Sequence, residues 1–163
     1  MFSAISNRNV GWIMEIYTVC LFGHRELRDL RRIDERLTPI VKELIREKPF
    51  VSFLVGRNGE FDEYAASVIK SVRSELGKDN SELVLVLPYK VADIEYYEKY
   101  YDGVMIPESV SRAHPKSAIT LRNRWMVEQA DLVIANVERQ SGGAYAAVRC
   151  AERLGKALIN LCG

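Results

Sequence analysis

The sequence predicts an α/β protein, a three-layer α/β/α sandwich around a mostly parallel, Rossmann-like sheet. Short apolar runs rich in β-branched residues alternate with longer segments whose apolar residues recur every three or four positions, as strands alternate with helices. The connecting segments are long enough for right-handed crossovers between parallel strands. The 163 residues fit one such domain and leave too little chain for two.

The elements follow one another in a regular order along the chain. Strands are expected at residues 17–22, 50–55, 83–87, 104–106 (a short edge strand), 132–137 and 157–161. Helices are expected at residues 30–44, 61–76, 94–101, 117–130 and from Gly142-Gly143 to Gly155, with a loop over residues 107–116. Residues 1–13 are polar and aperiodic, so they are expected to form a loose extension, or to precede a functional start at Met14, ahead of one domain over residues 14–163.

Composition narrows the classes of function. The chain is 48% hydrophobic and 28% charged with a net charge of +1, so no broad basic field is expected and nucleic acid is not a predicted partner. No apolar stretch approaches the roughly 18–20 residues that span a bilayer, so no membrane partner is expected. Cys20, Cys150 and Cys162 lack zinc-ligand spacing, which predicts no metal and reduced thiols in the cytoplasm.

Three small or basic turns each follow a predicted strand and precede a predicted helix. They occupy residues 23–25, 56–62 and 141–143. Because such turns meet at one edge of a parallel sheet, where helix N-termini collect anions, they predict a site for a phosphate-bearing ligand.

Individual residues of these turns have chemistry that suits this ligand. Gly23 allows close approach to the backbone, Arg25 supplies a planar fork of donors, and Gly56 and Gly59 form a tight turn. His24, Ser141, Gly142 and Gly143 complete the set of expected ligand contacts. Asp62 and Glu60 are expected either to accept hydrogen bonds from ribose hydroxyls or to stabilise the start of their helix, and they are the candidate catalytic carboxylates.

Arg122 is the sharpest single signal in the chain. Ile119, Arg122 and Met126 are spaced by three and four residues, so the arginine shares a helix face with apolar side chains. Burying an arginine without a nearby anion costs on the order of several kcal/mol, because its charge is removed from water. A bound phosphate would compensate it, and so would an internal carboxylate such as Asp62 or Glu60.

Four short segments together resemble the SLOG superfamily. They are Thr-Val-Cys-Leu-Phe-Gly-His-Arg at residues 18–25, the Gly-x-x-Gly-Glu-Phe-Asp turn at residues 56–62, the run at residues 122–135 and Ser-Gly-Gly at residues 141–143. The nearest branch is that of the YpsA-like small bacterial and phage proteins. The resemblance implies a Rossmann-like fold and a nucleotide pocket lined by Gly23, Arg25, Gly56, Gly59, Asp62, Arg122, Gly142 and Gly143. The superfamily also includes the LOG phosphoribohydrolases and the DNA-binding DprA proteins.

One departure from the LOG pattern bears on function. Arg122 and Met126 match its first motif, but Arg149 stands where its second motif has a glutamate, and a cation cannot stabilise an oxocarbenium-like centre. The expected function is therefore a cytoplasmic binding module or sensor for a nucleotide-derived small molecule such as ADP-ribose, an NAD-like compound or a signalling nucleotide. The alternative is an enzyme acting on an N-glycosidic bond through Asp62 or Glu60. No cofactor is predicted, and because related proteins often pair, a homodimer is expected.

Overall fold

The computed structural model describes residues 15–163, in which six parallel strands form one sheet with helices on both faces. The strands are β1 (Ile16–Gly23), β2 (Phe50–Val55), β3 (Ser81–Val86), β4 (Gly103–Met105), β5 (Leu132–Asn136) and β6 (Ala157–Asn160). The helices are α1 (Leu30–Glu47), α2 (Glu60–Leu76), α3 (Ile94–Tyr100), α4 (Glu108–Ser111), α5 (Pro115–Gln129) and α6 (Gly143–Arg153). The three-layer fold class is confirmed, whereas the predicted extension at residues 1–13 and the start at Met14 lie outside the described residues.

The strand order creates a switch point beside the first strand. The order is β4-β3-β2-β1-β5-β6, so the chain first builds outward from β1 to β4 and then crosses back to place β5 on the other side of β1. Connections leaving β1 and β5 therefore diverge to opposite faces. In open α/β sheets the crevice outside the carboxyl ends of two such strands is the usual ligand site.

The core lies on both faces of the sheet. Val19 and Leu21 of β1 pack in the cluster with α1 and α2, whereas Cys20 and Phe22 pack on the opposite face with α5 and α6. This alternation with a period of two is that of a strand buried on both sides. Cys20 is a small buried side chain, as its place in an apolar strand predicts, and burial raises the pKa of its thiol.

The prediction of a loop over residues 107–116 is wrong. Pro107 immediately precedes α4, and Pro115 is in the first turn of α5, where a missing N–H costs no helical hydrogen bond. The His114 ring caps α5 by accepting a hydrogen bond from the Lys116 N–H at 3.2 Å. The two prolines therefore begin helices here.

No helix within residues 15–163 is long and apolar enough to cross a membrane.

Candidate functional site

A cavity of about 430 Å³ opens outside the carboxyl ends of β1 and β5. We call it the switch-point pocket. The loop after β1, the turn after β2, the start of α6 and one face of α5 all contribute to its wall. Of the residues predicted from the sequence, it is lined by Gly23, His24, Arg25, Asp62, Arg122, Ser141, Gly142 and Gly143. The turns thus meet where the sequence places them.

Gly56 and Gly59 do not line the pocket but pack behind it. A β-carbon on Gly56 would stand 3.0 Å from Arg122 Nη1 and 3.1 Å from Asp62 Oδ2. A β-carbon on Gly59 would stand 2.5 Å from the Arg25 Cα, in a place where the Glu60 N–H donates to the Arg25 carbonyl at 2.9 Å. Both glycines therefore let the pocket-lining residues come close together.

Gly23 lines the pocket, but packing against the core is what demands a glycine there. A β-carbon on Gly23 would stand 2.2 Å from Cγ of Phe61, a side chain with no exposed surface. Such an approach is far inside van der Waals contact, and a fully buried ring has little room to move. The glycine at the end of β1 thus seats the first turn of α2 against the sheet.

The two candidate carboxylates have different surroundings. Glu60 Oε2 accepts a hydrogen bond from the Leu27 N–H at 2.7 Å, outside the pocket, and so ties α2 to the loop after β1. Asp62 lies in the pocket wall, and its Oδ2 accepts from the Asn58 N–H at 2.9 Å. Burial raises the pKa of Asp62 to about 6, against the opposing effects of that hydrogen bond and of Arg122. Asp62 is therefore mostly ionised at neutral pH.

Arg122 is buried, with 2% of its surface exposed. Its Nη1 donates to the Val86 carbonyl at 2.7 Å and its Nε to Asn123 Oδ1 at 2.8 Å. Neither Asp62 nor Glu60 forms an ion pair with it, and no other carboxylate of residues 15–163 does. Burial lowers its pKa, while the nearby Asp62 favours the charged form.

The guanidinium of Arg122 keeps donor capacity on its cavity side. In the described part of the chain its Nη2 has no acceptor, yet no fully buried side-chain nitrogen or oxygen there lacks a partner. Nη2 therefore keeps some accessible surface, and Arg122 is one of the residues that line the cavity. A second buried arginine shows the contrast: Arg73 donates to the Ser81 hydroxyl and carbonyl and forms an ion pair with Asp102 at 2.6 Å. Within residues 15–163, Arg73 is thus paired with a carboxylate, whereas Arg122 is not.

His24 joins two walls of the pocket. Its Nε2 accepts hydrogen bonds from the backbone N–H groups of Glu138 at 3.1 Å and Arg139 at 3.2 Å. Burial and the Arg139 charge lower its pKa. Arg139, an exposed residue, also lines the pocket and is not among the residues predicted from the sequence. Its position, two residues before the Ser-Gly-Gly turn at the same sheet edge, was a usable signal.

The first turn of α6 presents free backbone amides. Gly142 precedes the helix at φ 91°, a left-handed conformation that suits glycine, and no side chain caps the helix. The first N–H groups of a helix have no acceptor within it, and the helix dipole makes this end partly positive. This turn lines the pocket together with three arginines, Arg25, Arg122 and Arg139, and two carboxylates, Glu26 and Asp62, so cations outnumber anions in its wall.

Comparisons with known proteins identify the fold. No protein-family model matches the chain, and no curated protein matches its sequence. DprA from Streptococcus pneumoniae superposes on 97% of the chain with a TM-score of 0.67 and 13% identity. DprA from Helicobacter pylori, described for its unique single-stranded DNA binding mode, superposes on 87% of the chain with a TM-score of 0.62 and 16% identity. The molybdenum cofactor carrier protein of Chlamydomonas reinhardtii superposes on 88% with a TM-score of 0.55 and 12% identity.

These matches show a Rossmann-like fold shared with DprA, a SLOG member. This chain covers 51% and 63% of the two DprA chains and 75% of the carrier protein. The DprA neighbours contradict the function predicted from the sequence, a sensor for a small nucleotide-derived ligand, and the prediction that nucleic acid is not a partner. Net charge is a weak guide to such a partner because it sums the whole surface, whereas Arg25, Arg122 and Arg139 lie around one cavity.

Proposed function

We propose that this domain binds single-stranded DNA and holds one backbone phosphate in the switch-point pocket. The observation that carries the proposal is Arg122, a buried arginine that lines the cavity and lacks an ion-pair partner within residues 15–163. The likeness to DprA supports the choice of ligand, because the Helicobacter pylori protein binds single-stranded DNA.

The chemistry of the pocket suits a phosphodiester. Arg122 Nη2 and the free amides at the start of α6 offer donors to its two unesterified oxygens, and Arg25 and Arg139 on the rim attract flanking phosphates. Asp62 adds discrimination, since an ionised carboxylate beside Arg122 repels a dianionic terminal phosphate more strongly than a monoanionic diester. The interior of a nucleic-acid strand therefore fits better than a free nucleotide.

The proposal also covers the superfamily of the domain, its location in the cell and its contact residues. We place residues 14–163 in the SLOG superfamily and, on the motifs at residues 18–25 and 122–135, in its YpsA-like branch, acting in the cytoplasm. The residues that we expect to contact DNA are Arg25, Arg122, Arg139 and the turn at residues 141–143.

Binding of a fluorescently labelled 15-nucleotide oligo(dT), followed by fluorescence anisotropy, tests the proposal. Arg122→Gln is expected to weaken binding roughly tenfold or more, because a charge-assisted hydrogen bond to a buried partner contributes about 1.5–3 kcal/mol. Arg124→Gln is the matched control, since Arg124 is on the same helix, is exposed and has only a loose pairing with Glu128 at 3.9 Å. It is expected to bind within about twofold of the wild type.

The salt dependence gives a second readout that does not depend on a buried substitution. Arg25 and Arg139 are exposed, so Arg25→Gln and Arg139→Gln leave the core intact. Each is expected to reduce the slope of log K against log salt concentration by about 0.7. Equal losses for Arg122→Gln and Arg124→Gln, or no binding by the wild-type protein at physiological salt, would contradict the proposal.

A further inference from the structure

The edge of the sheet that holds the switch-point pocket continues past β1 to the ends of β2 and β3. Arg57 follows β2 and Tyr89 follows β3, the next two strands along the sheet from β1. Arg122 connects the two regions, because it lines the pocket while its Nη1 donates to Val86, the last residue of β3. Burial lowers the pKa of Arg122, and Tyr89 is close enough to oppose that shift in part.

Two tyrosines in the segment that follows β3 are exposed. Tyr89 is 44% exposed and Tyr96 is 66% exposed. The Tyr96 ring meets the Tyr97 ring edge-on, with centroids 5.4 Å apart and planes at 81°. Tyr97 is fixed in turn by Arg57, whose Nη1 donates to its hydroxyl at 3.0 Å and whose guanidinium carbon is 5.3 Å from its ring centroid. Tyr96 is thus an exposed aromatic side chain whose ring packs against the fixed Tyr97.

Charge alone does not make this region attractive to an anion. The helix α3 that carries Tyr96 also carries exposed Glu95 and Glu98, which oppose the positive charge of Arg57. Base stacking contributes to binding independently of charge, because every base has a π-face. Proteins that bind single strands commonly combine a phosphate-binding groove with exposed aromatic rings. In a duplex the base faces are covered by their neighbours, so such a surface selects single strands.

We propose that Tyr89 and Tyr96 form a base-stacking subsite for the single strand whose phosphate occupies the switch-point pocket, and that Arg57 contacts a phosphate between the two. This inference rests on the proposed function and extends it from one phosphate to a short run of nucleotides. It defines the ligand as an oligonucleotide, since a mononucleotide anchored at Arg122 does not also cover Tyr96.

Replacing each tyrosine by leucine tests the subsite, with phenylalanine as the matched control that keeps the aromatic face. Tyr89→Leu and Tyr96→Leu are each expected to weaken oligo(dT) binding roughly five- to tenfold, and the phenylalanine variants to stay within about twofold. The slope of affinity against salt is expected to stay at the wild-type value, because no phosphate contact is removed. Both rings are exposed, so the substitutions open no core cavity.

Photo-crosslinking of an oligonucleotide that contains 5-iodouracil, followed by mass spectrometry, locates the bases directly. Adducts on Tyr89 or Tyr96 are the expected result. If Arg122→Gln loses binding while both leucine variants bind as the wild type does and adducts form only elsewhere, the subsite is wrong and the proposed function stands. If the wild-type protein binds no single strand, both are overturned.

Discussion

His24 holds the backbone of Arg139 through a single ring nitrogen: Nε2 accepts the Arg139 N–H at 3.2 Å and also the Glu138 N–H at 3.1 Å. One side chain thereby joins the loop after β1 to the loop after β5, the two walls of the switch-point pocket. Only a neutral imidazole that carries its proton on Nδ1 can accept at Nε2. The arrangement of Arg139 therefore depends on the protonation state of His24.

The first prediction concerns the pH dependence of stability. The pKa of His24 is lower in the folded protein than in the unfolded chain, where it is about 6.5, so the unfolded chain binds more protons between the two values. His24 is expected to stabilise the fold fully above about pH 6.5 and to lose this contribution as the pH falls below that value. Thermal unfolding followed by circular dichroism between pH 5 and 8 measures the loss.

His24→Gln separates this effect from the other titrating groups. A glutamine oxygen can accept from the same amides and does not titrate, while Asp62 and Glu82, whose pKa values burial raises, titrate alike in both proteins. The difference in melting temperature between wild type and variant is expected to move in favour of the variant as the pH falls from 7.5 to 5. A difference that stays constant over this range would show that His24 does not act as an acceptor.

The fold and the edge that carries the site follow from local patterns in the sequence. Alternating strand and helix periods fix the parallel sheet, and the three-and-four spacing around Arg122 places that arginine in the core, where it is 2% exposed. Parallel topology then brings the loops after β1, β2 and β5 to one edge. Each of these steps needs only residues that are close along the chain.

What the sequence does not reveal depends on contacts between distant residues. Gly23 is required by the ring of Phe61, and Gly59 by the backbone of Arg25. The neighbouring sequence of each glycine therefore does not show why a glycine is needed. The backbone of Arg139 is positioned by His24, which is distant in the sequence, so the local sequence around Arg139 does not predict its place in the pocket. Net charge does not reveal the grouping of Arg25, Arg122 and Arg139 for the same reason, because that grouping exists only after folding.

The second prediction is that Gly23→Ala destabilises the fold by packing alone. The new methyl group would overlap the buried Phe61 ring, and overpacking of this kind costs about 1–3 kcal/mol. Gly143→Ala is the matched control at another pocket glycine, since its β-carbon would meet nothing closer than Asn123 Nδ2 at 3.7 Å. Its free energy of unfolding is expected to change by less than about 1 kcal/mol. Urea unfolding measures both.

A double substitution assigns the cost to the right neighbour. Phe61→Leu removes the ring that the alanine methyl group would strike, so Gly23→Ala combined with Phe61→Leu is expected to be less destabilised than the sum of the two single variants. Strict additivity would mean that Gly23 is required by its backbone and not by Phe61.

The third prediction is that Asp62 opposes DNA binding. Its ionised carboxylate is near the Arg122 guanidinium and competes electrostatically with a phosphate in the pocket. Asp62→Asn keeps an oxygen that can accept from the Asn58 N–H and removes the charge, so it is expected to bind oligo(dT) about fivefold more tightly at pH 7.5. Fluorescence anisotropy titrations of both proteins measure the change.

The pH dependence of this difference identifies its cause. Burial raises the pKa of Asp62 to about 6, so wild-type affinity is expected to approach that of Asp62→Asn as the pH falls from 7.5 to 5. His24 titrates alike in both proteins, and a phosphodiester stays ionised throughout, so the ratio of the two affinities reports Asp62 alone. A variant that binds more weakly than the wild type at every pH would contradict the prediction, because removing a repulsion between the Asp62 carboxylate and a phosphate cannot lower affinity.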